Sequence, residues 1–186
     1  DPAPEYLFFK RMFDILVAAC ALIVLSPVML LVGIAIRLDG GPAFYRQCRL
    51  TKDGRRFDVL KFRSMRVDAE KDGQARPATD RDPRITRVGN VIRAIRFDEL
   101  PQLLNIIKGD MTIIGPRPPL PREVEQYTPY QMHRLDVKTG LACYHECMGR
   151  SKEKDFDSWV ESDLKYIRER SMLTDIKVIL LTIKVV

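Results

Sequence analysis

Hydrophobic positions in this chain are massed at one end and patterned elsewhere. From Ile15 to Ile36 no charged residue interrupts the run, and Ser26-Pro27 divides it into arms of 11 and 9 residues. As one straight helix the 22 residues would measure about 33 Å, enough for a hydrocarbon core of roughly 30 Å. Proline removes an amide donor and clashes with the carbonyl four residues back. Ser26 can return a hydroxyl to a freed carbonyl. Each arm is then about one leaflet deep. Cationic flanks favour the cytoplasmic side, and both flanks carry them: Lys10 and Arg11 before the run, Arg37 after it. A re-entrant hairpin satisfies that pattern. The alternative is a single kinked span, and a cleaved signal is disfavoured because Arg37 follows with no small-residue cleavage site.

Beyond Arg37 the pattern changes. Ala43–Leu50 and Phe57–Met65 alternate around Lys52-Asp53-Gly54-Arg55, which predicts a β-hairpin turned by Asp-Gly. Residues 67–84 are polar and read as a loop. Val88–Arg96 has helical spacing, and a second helix is expected from about Asp98 to Lys108, closed by Gly109. Met111–Gly115 reads as a short extended piece, ended by Pro116-Arg117-Pro118-Pro119. Phe156–Glu169 is amphipathic. Ile176–Val186 is apolar but too short to span, and reads either as an interfacial helix or as a core helix. The expected fold is α+β and mainly helical: a helix-break-helix membrane segment over residues 1–37, and a body over 38–186 with a small β-hairpin and amphipathic interfacial helices.

The 186 residues carry a net charge of +6. Residues 1–37 sum to zero, so the whole excess lies in the body, where it would attract polyanions or anionic lipid. Four cysteines in a chain of this length do not make a disulfide scaffold. Cys143-Tyr-His145-Glu-Cys147 lacks the second Cys/His pair of a structural zinc site.

Asp98-Glu99 is the candidate chemical pair. An Asp-Glu pair at a helix start serves as a cap, and that role alone would account for it. The same position brings free amides to a phosphate and keeps a carboxylate ionised. Phosphate beside an ionised carboxylate permits attack to an acyl phosphate, given a cation to screen the charges. Mg²⁺ bound by one or two carboxylates and substrate phosphates is the usual device. Arg87, Arg93, Arg96, Arg117, Lys61 and Arg63 are candidate phosphate holders, and Pro116 and Pro118 would stiffen the backbone that aims Arg117.

Taken together, Lys10-Arg-Met-Phe-Asp14, Ser26-Pro27, Lys61-Phe-Arg-Ser-Met65, Asp98-Glu-Leu-Pro-Gln-Leu-Leu-Asn105, Gly109-Asp-Met111 and Gly115-Pro-Arg-Pro118 resemble the bacterial sugar transferases, the monotopic phosphoglycosyl transferases. The similarity runs from about residue 8 to 120 and returns in Gly149-Arg150, Trp159…Asp163-Leu-Lys-Tyr166 and Ser171…Asp175. It implies a catalytic core on a re-entrant helix at the cytoplasmic face of the bacterial inner membrane. It implies transfer of a sugar 1-phosphate from a UDP-sugar to undecaprenyl phosphate with release of UMP. Asp98 would be the nucleophile, carrying a covalent phosphosugar near Mg²⁺, and Glu99 would assist in metal and proton handling. Arg117 would contact nucleotide or phosphate. Lys61, Arg93 and Asp163 match charged pocket positions, and Ser26-Pro27 the helix break. The length is that expected of the minimal form of the family.

One stretch departs from the family pattern. Where it usually reads Pro-Gly-Ile-Thr-Gly before an aromatic and a Gln, this chain has Lys138-Thr-Gly-Leu-Ala-Cys-Tyr-His-Glu-Cys-Met. The sugar is therefore not specified by the motifs. Two other readings stay open at this point: a non-catalytic, membrane-anchored binder of anionic lipid or nucleic acid, and a degenerate homologue. For the transferase reading no nucleic-acid partner is expected.

Overall fold

The apolar run forms part of one long helix, α1, Pro4–Leu38. In the computed structural model, which describes residues 4–69, 79, 82–147 and 155–185, the helix continues through Ser26 and Pro27. The expected helix-break-helix is thus a single helix with the proline inside it, and Ser26 Oγ donates to the Ile23 carbonyl at 2.9 Å. Only 6 % of its most apolar 18-residue stretch is buried, so α1 is not the core helix of a soluble protein. Residues 23, 24 and 26–28 are exposed, whereas both arms seat on the body.

The first arm is fixed by buried polar contacts. Asp14, 3 % exposed, accepts from Thr112 Oγ1 at 2.6 Å and from the Ile113 amide at 3.0 Å. Arg11 donates to the Ile106 and Ile107 carbonyls, satisfying the last turn of α3 (Gln102–Lys108). Lys10 pairs with the buried Asp175 at 2.8 Å. The second arm packs Ile36 with Phe62 and Ile92, flanked by Met29 and Val32. Its terminal carbonyl at Ile36 accepts from Arg63 at 2.9 Å.

The predicted hairpin is present. Strands β1 (Phe44–Leu50) and β2 (Arg56–Phe62) pair antiparallel, with Leu50 opposite Arg56 and Phe44 opposite Phe62. Asp53 and Gly54 take φ values of 58° and 71° at the turn, as a hairpin connection matched to strand twist requires. Asn105 of α3 joins the hairpin to the helix layer: its amide donates to the Asp58 carbonyl and accepts from the Leu60 amide. After β2 the chain runs to Met65, which bridges Ile85, and helix α2 (Arg87–Ala94) folds back over it. Gly89 makes that approach possible, since any Cβ there would collide with the Ser64 carbonyl.

Strand β3 (Thr112–Ile114) is followed by two single-turn helices, α4 (Pro121–Val124) and α5 (Pro129–Met132). It then pairs in parallel with β4 (Gly140–Ala142), which the sequence pattern did not reveal. Helix α6 (Tyr144–Cys147) leads toward α7, which spans Phe156–Glu169 as expected. Helix α8 covers Met172–Val185 and begins four residues before the predicted apolar stretch. It buries Val178 and Asp175 in the core, as the core-helix reading expects, while Leu173 and Leu180 stay exposed. Gly149-Arg150 and most of the predicted loop lie outside the described residues.

Asp14→Ala would orphan the buried Ile113 amide and the Thr112 hydroxyl. Loss of such contacts costs about 2–3 kcal/mol. Chemical denaturation in detergent micelles is expected to show that loss; an unchanged midpoint would mean that Asp14 does not hold the arm.

Candidate active site

Helix α2 ends in a left-handed residue, Arg96, with φ 53°. Such a C-terminal reversal is usually made by glycine, and a non-glycine residue there carries about 1 kcal/mol or more of strain. The reversal starts a 3₁₀ turn, Phe97–Glu99, with α3 beginning at Gln102. Asp98 is therefore not the cap of α3, as the sequence pattern led us to expect. It projects from a tight turn between two helices into a cavity of about 820 Å³.

That cavity lies between the hairpin, the prolines after β3 and the start of α7. Among its lining residues Arg49, Lys61, Arg63, Arg66, Arg93, Arg117, Arg122 and Arg134 face two carboxylates, Asp98 and Glu123. Glu99 sits beside the cavity, its Oε1 2.7 Å from Lys61 Nζ. Of the predicted phosphate holders, Lys61, Arg63, Arg93 and Arg117 are thus brought together on one wall. Arg93 donates to Ser64 Oγ at 3.3 Å. Arg63 spends one donor on α1, and its buried Nε has no partner among the described residues.

Arg117 is exposed between the buried Pro116 and Pro118. The loop is pinned from beneath: Gly115 donates to the Ala142 carbonyl and Gly140 to the Pro116 carbonyl. A Cβ at Gly115 would stand 2.6 Å from the Lys138 carbonyl, so only glycine lets the two segments approach.

Asp163 is placed differently from the expectation. It is 3 % exposed and lies behind the cavity wall, bound to Arg134 Nε and NH2 at 2.8 and 2.7 Å. Arg134, which the sequence pattern did not single out, is the residue that reaches the cavity. Ser26 and Pro27 lie in the middle of α1 and do not line the cavity.

The two adjacent carboxyls are driven apart. Burial raises Asp98 above the ordinary aspartate range and Glu99 adds to the rise, against the pull of Lys61 and Arg93. Desolvation thus works against the ionised form that a helix terminus was expected to favour at Asp98. Burial pushes Glu99 upward too, but Lys61, by charge and hydrogen bond, and then Arg117 overcome it and leave that carboxyl below its usual range. Burial and the neighbouring Arg117 also lower the guanidinium of Arg49. Surplus cation density of this kind favours a polyanionic ligand.

Among the described residues no group of three or more His, Cys, Asp or Glu could cage a metal. The adjacent carboxylates of Asp98 and Glu99 are the donor set that a Mg²⁺ held chiefly by phosphate and water would require.

The family model for the bacterial sugar transferases matches residues 5–186, so the chain belongs to that family. It is 44 % identical over 193 residues to the galactosyl transferase CpsE of Streptococcus agalactiae, covering 98 % of this chain and 43 % of that one. It is 41 % identical over 182 residues to the UDP-glucose:undecaprenyl-phosphate glucose-1-phosphate transferase of Escherichia coli K12, covering 94 % and 39 %. With the exopolysaccharide production protein ExoY of Sinorhizobium fredii it shares 40 % identity over 192 residues, covering 95 % and 84 %. The chain spans less than half the length of the first two.

Replacing Lys61 with Met removes the cation that lowers both carboxyls. Both are expected to titrate at higher pH, Glu99 by more, in a carboxyl-¹³C NMR titration. Unchanged titration would refute the assigned coupling.

Proposed function

We propose that this chain transfers a sugar 1-phosphate from a UDP-sugar to undecaprenyl phosphate through a covalent intermediate on Asp98. The observation that carries the reading is a carboxylate on the wall of an arginine-rich cavity in a protein with a long, largely exposed apolar helix. Arginines hold the diphosphate by paired hydrogen bonds and neutralise its charge. An Asp98 oxygen attacks the β-phosphorus; an O–P bond forms, the P–O bond to the α-phosphate breaks, and UMP leaves. A phosphate oxygen of the lipid then attacks the same phosphorus and frees the Asp98 carboxylate. Splitting the transfer into two displacements lets donor and acceptor use one phosphate site in turn, a ping-pong scheme. Asp98 and Glu99 would hold Mg²⁺, whose charge would screen the nucleophile from the phosphates. Asp163 acts through Arg134.

The same reading places α1 in the inner membrane as a re-entrant element with the body at the cytoplasmic face. Asp14 and Ile36 would be about 33 Å apart on a straight helix, yet both are fastened to one body. A helix that crossed the bilayer would put those points on opposite sides. The exposed stretch around Ser26-Pro27 is the part left to enter lipid, and Leu173 and Leu180 of α8 add exposed apolar surface.

Asp98→Asn is expected to lower UMP release from a UDP-sugar, in the presence of undecaprenyl phosphate, by more than about 10³-fold. Full activity in that variant, or no UMP release by the parent with any UDP-sugar, would overturn the assignment. For topology, single cysteines introduced near residues 5 and 40 should both react with an impermeant thiol reagent from the cytoplasmic side. Labelling from opposite sides would establish a span.

A further inference from the structure

The end of the cavity formed by α7 and the segment before α5 differs in kind from the Asp98 wall. Tyr127, Phe156 and Trp159 line it together. The Tyr127 and Phe156 rings lie 5.6 Å apart at 43°. Arg134 stands over both, its guanidinium carbon 5.6 and 5.7 Å from their centroids. Asp163 holds Arg134 from behind, and Arg134 NH1 donates to the Tyr127 hydroxyl at 2.6 Å. Two buried charges, paired with each other, thus fix the angle at which aromatic faces meet the cavity. Gln126 and Gln131 line the same end, and a carboxamide offers both a donor and an acceptor.

We propose that this aromatic end seats the pyrimidine base of the nucleotide donor. The inference rests on the transferase reading, and follows from the order of charges. Arg49 donates to the Pro118 carbonyl at 2.9 Å, beside Arg117, and Arg134 donates to the Tyr127 hydroxyl. These three arginines line the one cavity that Asp98 and the rings share, so cations line the way from the Asp98 turn to the rings. In a UDP-sugar the sugar is bonded to the phosphorus that Asp98 attacks, whereas the nucleoside lies one phosphate further on. A group reached across a line of cations is the nucleoside. An aromatic face stacks on any base, and such contacts are worth roughly tenfold or more in affinity per base. Cation–π contact from Arg134 fixes the platform before the ligand arrives.

The chain has a single tryptophan, so fluorescence excited where tyrosine does not absorb reports on Trp159 alone. Titrating the full chain in detergent micelles with UMP should quench that signal. Ribose 5-phosphate, which lacks the base, should bind about tenfold or more weakly and leave it unquenched. Phe156→Ala, at an exposed position in the first turn of α7, should weaken UMP by a similar factor without loss of fold. Equal binding of UMP and ribose 5-phosphate, an unaltered UMP affinity in Phe156→Ala, or quenching by a hexose 1-phosphate but not by UMP would overturn the proposal. These readouts need no turnover. UMP quenching in a protein whose Asp98→Asn variant stays active would keep the base seat and discard the mechanism.

Discussion

Lys61 reaches from β2 to Glu99 at 2.7 Å, and the division of labour in the cavity follows from that contact. It ties the 3₁₀ turn to the hairpin, so the two carboxyls are held at a fixed place on the wall. It also spends most of its field on one of them. Glu99, though partly buried, is held below its usual range, while its charge and desolvation raise Asp98. Two neighbouring acids in unequal fields are a recurrent basis for distinct chemical roles. A carboxyl raised in this way is the better base once ionised, and it is the one that faces the open cavity.

The rest of the architecture fastens that wall to the long apolar helix α1. Asp14 binds β3, Lys10 binds Asp175 of α8, and Arg63 binds the carbonyl of Ile36. Tyr166 completes the network, its hydroxyl 2.7 Å from Asp175 and 3.0 Å from the Ile114 carbonyl. Burying these charges is costly unless each is paired, so the arms have one seating. Arg63 belongs to both systems, lining the cavity and holding α1. The apolar helix and the cationic wall are thereby rigidly related.

Local patterns carried much of the fold. The uncharged run marks α1, Asp53-Gly54 marks the hairpin turn, Gly109 with φ 94° closes α3, and the spacing from Phe156 to Glu169 gives α7. What remained hidden depends on partners far along the chain. Asp14 meets Thr112 across 98 residues and Arg134 meets Asp163 across 29. No local period encodes such pairs, so the sequence pattern does not distinguish Asp163, behind the wall, from Arg134, which lines it. The left-handed Arg96 was equally illegible, because arginine carries no turn signature. Without it the turn bearing Asp98 reads as a simple helix start, and the burial that raises its carboxyl is not visible in a motif.

The central claim is that Asp98 becomes bonded to phosphorus. Incubating the purified protein with its UDP-sugar and Mg²⁺, without lipid acceptor, and measuring its intact mass tests this directly. The account predicts a gain equal to one sugar phosphate, mapped by peptide fragmentation to Asp98 and discharged on adding undecaprenyl phosphate. Turnover with no adduct, or an adduct on another side chain, would contradict it.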